Sequence, residues 1–162
     1  MEIERKFLLK SLPPLEPGQK VLVESIYIST SPEVRLRSFE VLEGKDIGHI
    51  DYKLTIKGEG SLSREEIETY VDESFFNSVK SFINKPVIRN YLYLYEYESN
   101  ILQCAVIDID RNKDFSLITG EVEFNSEASA NSYTWPFDYI KDVTMNPSYK
   151  MKNYWLQTRV NN

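Results

Sequence analysis

Acidic and basic side chains alternate with other residues at the start of the chain. Glu2, Glu4 and Lys6 are each two residues apart, so in a β-strand all three project from the same face. Paired carboxylates are ligands that hard divalent cations such as Mg²⁺ accept, and an ammonium group beside them suits the phosphate oxygens that such a cation also binds. A short polar face on a single strand is usually only solvated, so the pattern carries weight if other strands repeat it.

The size and composition of the chain favour one ordinary globular domain. Its 162 residues, of which 41% are hydrophobic and 27% charged, fit a single domain over 1–162. The net charge of -6 argues against bulk binding to nucleic acid or an anionic membrane. A single cysteine, Cys104, cannot form an internal disulfide, and no apolar run approaches the roughly 18 residues of a membrane span. With an acidic rather than signal-like start, we expect a cytoplasmic protein.

Short periodic segments rich in Val, Ile, Tyr, Phe and Leu predict a mostly β fold of the α+β type. We predict strands near 1–9, 21–29, 33–42, 49–58, 63–71, 86–97, 101–110 and 117–125. We predict helices over 73–84, in a short segment after Ser126, and over 148–160. Eight strands with short connections favour an antiparallel sheet, and the even count favours closure into a barrel with a few covering helices.

Charged residues repeat with the same alternation on most of the predicted strands. On the strand at 33–42, for example, Arg35 and Arg37 share one face. The charged faces carry the basic candidates Lys6, Arg35, Arg37, Lys53, Lys57, Arg64, Lys85 and Arg89 and the acidic candidates Glu2, Glu4, Glu66, Glu68, Asp108, Glu121 and Glu123. Such a face is often solvated, but the helix at 73–84 has an apolar stripe that can cover the opposite face. The charges would then line an interior, which is costly unless water, a metal ion and a polyanion fill it.

The charged positions fall into short motifs whose order is similar to that of a known family. The motifs are Glu2-Ile3-Glu4-Arg5-Lys6-Phe7-Leu8-Leu9, Leu54-Thr55-Ile56-Lys57-Gly58, Arg64-Glu65-Glu66-Ile67-Glu68, Asp108, Gly120-Glu121-Val122-Glu123 and Asp142-Val143-Thr144. Together they resemble the CYTH superfamily, also called triphosphate tunnel metalloenzymes, and the first motif has the form typical of bacterial simple triphosphatases. The resemblance covers essentially the whole chain.

This resemblance implies an eight-stranded antiparallel closed barrel around a tunnel that binds a triphosphate-bearing small molecule with Mg²⁺ or Mn²⁺. The implied metal ligands are Glu2, Glu4, Glu66, Glu68, Asp108, Glu121 and Glu123. The implied phosphate-binding residues are Lys6, Arg35, Arg37, Lys53, Lys57, Arg64, Arg89 and Lys150, and the implied catalytic residues are Glu4, Lys57, Lys85 and Arg89.

The chain departs from the family pattern at a few charged positions. Val87 replaces a lysine two residues before Arg89, and Lys85 lies two further back. Near the C-terminus, Asn146 and Ser148 stand where the family has Asp and Arg, so Lys150 or Lys152 is expected to supply the lost charge.

The leading hypothesis is metal-dependent hydrolysis of inorganic tripolyphosphate. Within the enzyme class the alternatives are hydrolysis of thiamine triphosphate or a nucleoside triphosphate, and cyclisation of ATP. Outside it, the departures allow a non-catalytic polyphosphate-binding module, and a plain β-barrel interaction domain is a third interpretation. The sequence leaves the oligomeric state open, and a homodimer is one alternative. The chain has a single histidine, His49, so a Ser-His-Asp or Cys-His site would have to use that residue.

Overall fold

Alternating apolar and polar residues make most of the chain extended, and the strands associate into one antiparallel sheet that curls into a nearly closed barrel. The structure is a computed structural model that describes residues 1–161. Its strands are β1 (Glu2–Leu9), β2 (Gln19–Thr30), β3 (Glu33–Gly44), β4 (Ile50–Lys57), β5 (Ser63–Arg64), β6 (Glu66–Tyr70), β7 (Ile88–Tyr97), β8 (Asn100–Val106), β9 (Ile118–Glu123) and β10 (Lys141–Asp142). Its helices are α1 (Glu73–Ile83), α2 (Glu127–Ser132), a 3₁₀-helix at Pro147–Tyr149, α3 (Met151–Trp155) and a π-helix at Leu156–Val160.

The order of the strands explains how the sheet closes. The sheet runs β10-β1-β9-β8-β7-β2-β3-β4-β6, and β5 pairs with β1. Only Glu65 separates β5 from β6, and the two short strands pair with different neighbours in the sheet. Glu66 of β6 pairs with Lys57 of β4, whereas Arg64 of β5 pairs with Glu2 of β1. This divided strand therefore brings the two ends of the sheet together.

The structure confirms the mostly β, antiparallel architecture and differs from the expectation in strand number. Within residues 1–161 the sheet has ten strands rather than eight, because the predicted strand at 63–71 is divided in two and the two-residue β10 was not predicted. The predicted strand at 101–110 ends at Val106. The predicted helix at 148–160 is divided into the 3₁₀-helix, α3 and the π-helix.

The outer face of the barrel carries much of the apolar core. Phe7, Leu102, Cys104 and Val122 are almost fully buried there, in one cluster with Trp135 from the segment after α2. Burial of side chains of this size contributes about 1.5–3 kcal/mol each. Because these residues alternate with charged ones along β1 and β9, burying them outside directs the charged side chains into the barrel.

Helix α1 covers another part of the outer face. Its start is capped by Asp72, whose carboxylate accepts a hydrogen bond from the Phe75 amide, and it ends at Asn84 in a left-handed conformation. Phe76 is buried and packs against Tyr52 of β4, but Phe82 is 88% exposed, so the covering stripe is narrower than the sequence indicated. Among residues 1–161, no helix has the length and apolar character needed to cross a membrane.

The contact between β9 and Trp135 gives a test of the packing. A Cβ atom on Gly120 would lie 2.5 Å from the Trp135 ring, so we expect Gly120→Ala to destabilise the fold by about 2 kcal/mol. That loss corresponds to a fall in Tm of roughly 4–8 °C for a chain of this size. The control is Gly18→Ala, because its Cβ would meet only the Leu94 carbonyl oxygen at 3.7 Å. Equal melting temperatures for the two variants would contradict this packing.

Candidate functional site

The alternation on the barrel strands directs charged side chains into an interior cavity of about 380 Å³. Strand β1 contributes the row Glu2, Glu4 and Lys6, and β3 contributes Arg35 and Arg37. Among the described residues, the carboxylates that line the cavity are Glu2, Glu4, Glu33, Glu66, Glu68, Glu121 and Glu123, and the cations are Lys6, Arg35, Arg37, Lys53, Lys57, Arg64 and Lys150. The structure thus brings together most of the residues that the sequence motifs indicated.

Three carboxylates meet at one point of this cavity. Oxygen atoms of Glu2, Glu4 and Glu123 all lie within 4.8 Å of one another, because Glu4 and Glu123 are direct cross-strand partners on β1 and β9. Burial, followed by repulsion from Glu121 and Glu2, raises the pKa of Glu4 to about 8. Burial and the neighbouring carboxylates also raise the pKa of Glu123. Crowded oxygen ligands of this kind fit Mg²⁺ or Mn²⁺.

Cations on the facing strands hold part of this cluster in place. The buried Lys57 Nζ lies 3.1 Å from both carboxylate oxygens of Glu2, and Arg64 Nε lies 3.3 Å from one of them. Arg64 also donates to Glu33 at 3.2 Å. Glu33 is 5% exposed and was not among the predicted site residues, although it has the same parity as Arg35 on its strand.

A basic wall lies on strands β3 and β4. Arg37 and Lys53 both pair with Glu68, at 3.3 and 3.4 Å. Within residues 1–161, the Nε atoms of Arg35 and Arg37 and the hydroxyl of Tyr27 are buried with no hydrogen-bond partner. Burial, followed by repulsion from Arg35, lowers the pKa of Arg37 to about 10. Unpaired buried donors cost about 1–3 kcal/mol each, and an anion bound against this wall would offer them oxygen acceptors.

The C-terminal segment forms a third side of the cavity. Lys6 lies 3.4 Å from Glu121 and donates to the Tyr149 carbonyl at 2.7 Å. Burial alone would raise the pKa of Glu121, but Lys6, Lys57 and Arg35 together lower it. Lys150 lines the cavity, as expected, and donates to the Gly60 carbonyl at 2.6 Å. Lys152 instead lies 3.9 Å from the exposed Glu59.

Asn146 and Ser148, which stand where the family pattern has Asp and Arg, have a local structural role. The side-chain oxygen of Asn146 accepts hydrogen bonds from the Ser148 amide at 3.1 Å and the Ser148 hydroxyl at 2.6 Å. These contacts cap the 3₁₀-helix that precedes α3. The two residues therefore shape the turn that carries Lys150 into the cavity.

Arg89 and Lys85, both predicted on the charged face, lie outside the cavity. Arg89 pairs with Glu24 at 3.4 Å and Asp110 at 3.0 Å, and Lys85 donates to the Arg159 carbonyl at 2.9 Å on the surface. On β7 it is Asn90 that shares an interior pocket with Lys6 and Arg35. The interior face of β7 is therefore the opposite of the one that the sequence indicated.

Asp108 is also placed away from the carboxylate cluster. It lies beyond the end of β8 in a left-handed turn with φ of 51°, so the alternation of the strand does not extend to it. Its side chain is fully buried and pairs with Arg159 at 2.6 Å and with the Tyr154 hydroxyl at 2.7 Å. Burial would raise the pKa of Asp108, but hydrogen bonds from Arg159 and Tyr154 lower it. Arg159, which no motif indicated, is its counter-ion.

Comparison with known proteins identifies relatives over nearly the full length of the chain. The chain is 30% identical over 154 residues to the inorganic triphosphatase of Nitrosomonas europaea, covering 93% of this chain and 94% of that protein. A crystal structure of an inorganic triphosphatase superimposes with a TM-score of 0.62 at 24% identity, covering 95% of this chain and 93% of the other. A second crystal structure of that protein gives a TM-score of 0.62 at 26% identity and covers 95% and 97%. No family model matches the chain.

The raised pKa of Glu4 predicts a pH-dependent stability. Because the folded state holds this proton up to about pH 8 while the unfolded state releases it near its ordinary value, unfolding becomes easier as pH rises through this window. Glu4→Gln removes the titration, so we expect its Tm to exceed that of the wild type by a margin that grows from pH 5 to pH 8. Thermal melts without divalent metal measure the margin; a constant difference across this range would contradict the assignment.

Proposed function

Because the chain belongs to the family of the inorganic triphosphatase of Nitrosomonas europaea, we propose that it hydrolyses inorganic tripolyphosphate with the help of Mg²⁺ or Mn²⁺. The observation that carries this proposal is the charge balance of the cavity. Seven carboxylates and seven cationic side chains of the described residues line it, so the cavity is close to neutral, with a small positive excess while Glu4 keeps its proton. A triphosphate carries several negative charges and would enter a neutral site unfavourably unless metal cations came with it.

Such a cation would bind at the three-carboxylate cluster. Glu2, Glu4 and Glu123 would hold it, because their oxygens converge and their mutual repulsion falls when a divalent ion separates them. The ion would neutralise phosphate oxygens and polarise the bond that breaks. Glu66 lies beside this cluster, 4.0 Å from Lys57, and Glu121 adds a further negative charge next to Glu4.

The basic wall supplies the complementary half of the site. Arg35, Arg37 and Lys53 line the same cavity as the carboxylates, and the free Nε donors of the two arginines suit phosphate oxygens. Lys150 reaches the cavity from the C-terminal segment. These fixed charges would hold the phosphate chain in one orientation without having to reorganise during the reaction.

The proposed reaction is attack of water on a terminal phosphorus. The new P–O bond forms as the bond to the bridging oxygen breaks, which yields orthophosphate and pyrophosphate. The pyrophosphate oxygen takes the electron pair of the broken bond and is stabilised by the basic wall. The proton that the water loses passes to a neighbouring carboxylate or to solvent.

Two of the aromatic rings that line the cavity, those of Phe39 and Tyr149, favour an inorganic substrate over a nucleotide or thiamine derivative. Arg37 lies 4.8 Å and Lys53 lies 5.3 Å from the centre of the Phe39 ring, and Lys141 lies 5.3 Å from that of Tyr149. Cations already contact these rings, which leaves them less surface on which an organic base could stack.

The test of this function is phosphate release from tripolyphosphate with Mg²⁺, Mn²⁺ or EDTA. We expect metal-dependent release, and we expect Glu4→Gln to lower kcat/KM about 100-fold or more, since it replaces an ionisable ligand of the cluster with a neutral amide. The matched control is Glu65→Gln, because Glu65 is exposed and lies between β5 and β6. ATP and thiamine triphosphate serve as competing substrates and should be hydrolysed more slowly.

Other results would point to other functions. Faster release from ATP or thiamine triphosphate would replace the inorganic substrate in the proposal. Binding of tripolyphosphate without release would make the chain a binding module, which the placement of Lys85 and Arg89 outside the cavity would then explain. Unchanged turnover in Glu4→Gln would remove Glu4 from the metal site.

A further inference from the structure

The C-terminal segment that carries Lys150 is attached to the barrel at both of its ends. At its start, the Tyr149 carbonyl accepts a hydrogen bond from Lys6 and Lys150 donates to the Gly60 carbonyl. Helix α3 and the π-helix follow without interruption as far as Val160. The position of this cavity wall therefore depends on what holds the far end of the segment against the barrel.

Arg159 is the group that holds the far end. Its guanidinium has five N–H bonds, and each has an acceptor nearby. The acceptors are Asp108 Oδ2 at 2.6 Å, Asp108 Oδ1 at 3.0 Å, the Val87 carbonyl at 2.9 Å, the Pro86 carbonyl at 3.0 Å and the Thr158 hydroxyl at 2.9 Å. The arginine is 5% exposed and the aspartate is fully buried, so this bidentate pair is shielded from solvent and strongly oriented.

Asp108 is held as firmly from the barrel side. Its amide donates to the Asn90 side chain at 2.8 Å, and its carbonyl accepts from the Arg111 and Asn112 amides at 2.9 and 2.8 Å. The Asn112 side chain also donates to the Tyr154 hydroxyl at 3.2 Å, which in turn donates to Asp108. The aspartate is thus a rigid anchor that faces helix α3 and the π-helix.

Packing connects this anchor to the cavity. Trp155, between the anchor and Lys150 in the chain, is 3% exposed, and its ring lies 5.8 Å from that of Tyr27. Tyr27 lines the cavity and is the cross-strand partner of Arg35. Movement of α3 would therefore displace both Lys150 and a side chain beside the basic wall.

We propose that Asp108 is a positioning residue that acts through Arg159 to fix the C-terminal segment, and with it Lys150, in the phosphate-binding wall of the cavity. The inference rests on the proposed function for its substrate but assigns Asp108 a different role from the metal ligand that the resemblance implied. Asp108 reaches the substrate only through the segment that it anchors, so its loss should weaken phosphate binding and leave metal binding intact.

The experiment compares Asp108→Asn, Arg159→Gln and the double variant by steady-state kinetics with tripolyphosphate and by titration with Mg²⁺. Each single variant should raise KM about tenfold, the loss expected when a charged hydrogen bond to phosphate is weakened. The double variant should raise KM no further than the single ones, because both act on one interaction. The Mg²⁺ concentration for half-maximal activity should stay within about twofold of wild type. Asp110→Asn is the matched control, since Asp110 is in the same loop and pairs with Arg89 instead.

Two results would overturn the proposal. If Asp108→Asn raises the half-activating Mg²⁺ concentration and Arg159→Gln does not, Asp108 is a metal ligand. If KM is unchanged in both single variants, the ion pair does not position the phosphate-binding wall. Should Asp108→Asn fail to fold, Tyr154→Phe and Arg159→Lys weaken the same anchor more gently, and an unchanged KM in both of these would equally reject it.

A separate readout distinguishes this inference from the proposed function. Trypsin cleavage after Lys150 or Lys152 should be about tenfold faster in Asp108→Asn than in Asp110→Asn, because release of the segment exposes these bonds. If the wild type neither binds nor hydrolyses tripolyphosphate, the proposed function fails. Equal cleavage rates in the two variants reject the anchor, whatever the wild type does with tripolyphosphate.

Discussion

The cross-strand register of the barrel interior is the constraint on which the rest of the structure depends. Buried charges are tolerated only when each meets an opposite charge or another strong partner. Here the register places Glu66 and Glu33 opposite Lys57 and Arg64 opposite Glu2. A slip of one residue would turn the charged rows outward and the apolar core inward. The burial of Phe7 and its neighbours outside the barrel and the pairing of charges inside it therefore specify the same register.

The candidate site lies where some of the interior charged groups have no oppositely charged partner. Glu4 meets Glu123 rather than a cation. On the facing strands, the Nε atoms of Arg35 and Arg37 have no acceptor in the part of the chain that the structure describes. The crowded carboxylates and the unused donors are in one cavity, but on different walls. Under the proposed function, a dianionic or more highly charged phosphate with its cation would satisfy both at once, whereas either ligand alone would leave one wall unbalanced. These unpaired groups lower the stability of the folded barrel, a cost that the proposed ligand would offset.

The alternation of side chains along the strands predicted most of the charged residues inside the barrel. It failed where a strand has two apolar faces and where the chain is no longer a strand. Rows such as Arg35 and Arg37 were found because the other face of their strand is apolar. On β7 both faces are rich in large apolar residues, with Leu92 inside and Tyr93 outside, so parity could not decide and Arg89 was placed inside. Asp108 follows the end of β8 in a turn, where alternation has no meaning. The tertiary contact with Arg159 joins distant parts of the chain and has no local signal.

The outward position of Arg89 and the attachment of the C-terminal segment are related, because both decide which cations reach the cavity. Strand β7 contributes Asn90 and Leu92 to the interior instead of a cation, so it adds no positive charge to the cavity. Lys150 supplies a charge from outside the sheet, on a segment that no β-ladder holds in position. A charge can orient a phosphate only if its own position is restricted. In a barrel whose other cations are fixed by strand register, the buried Asp108–Arg159 pair does for this segment what backbone pairing does for the strands.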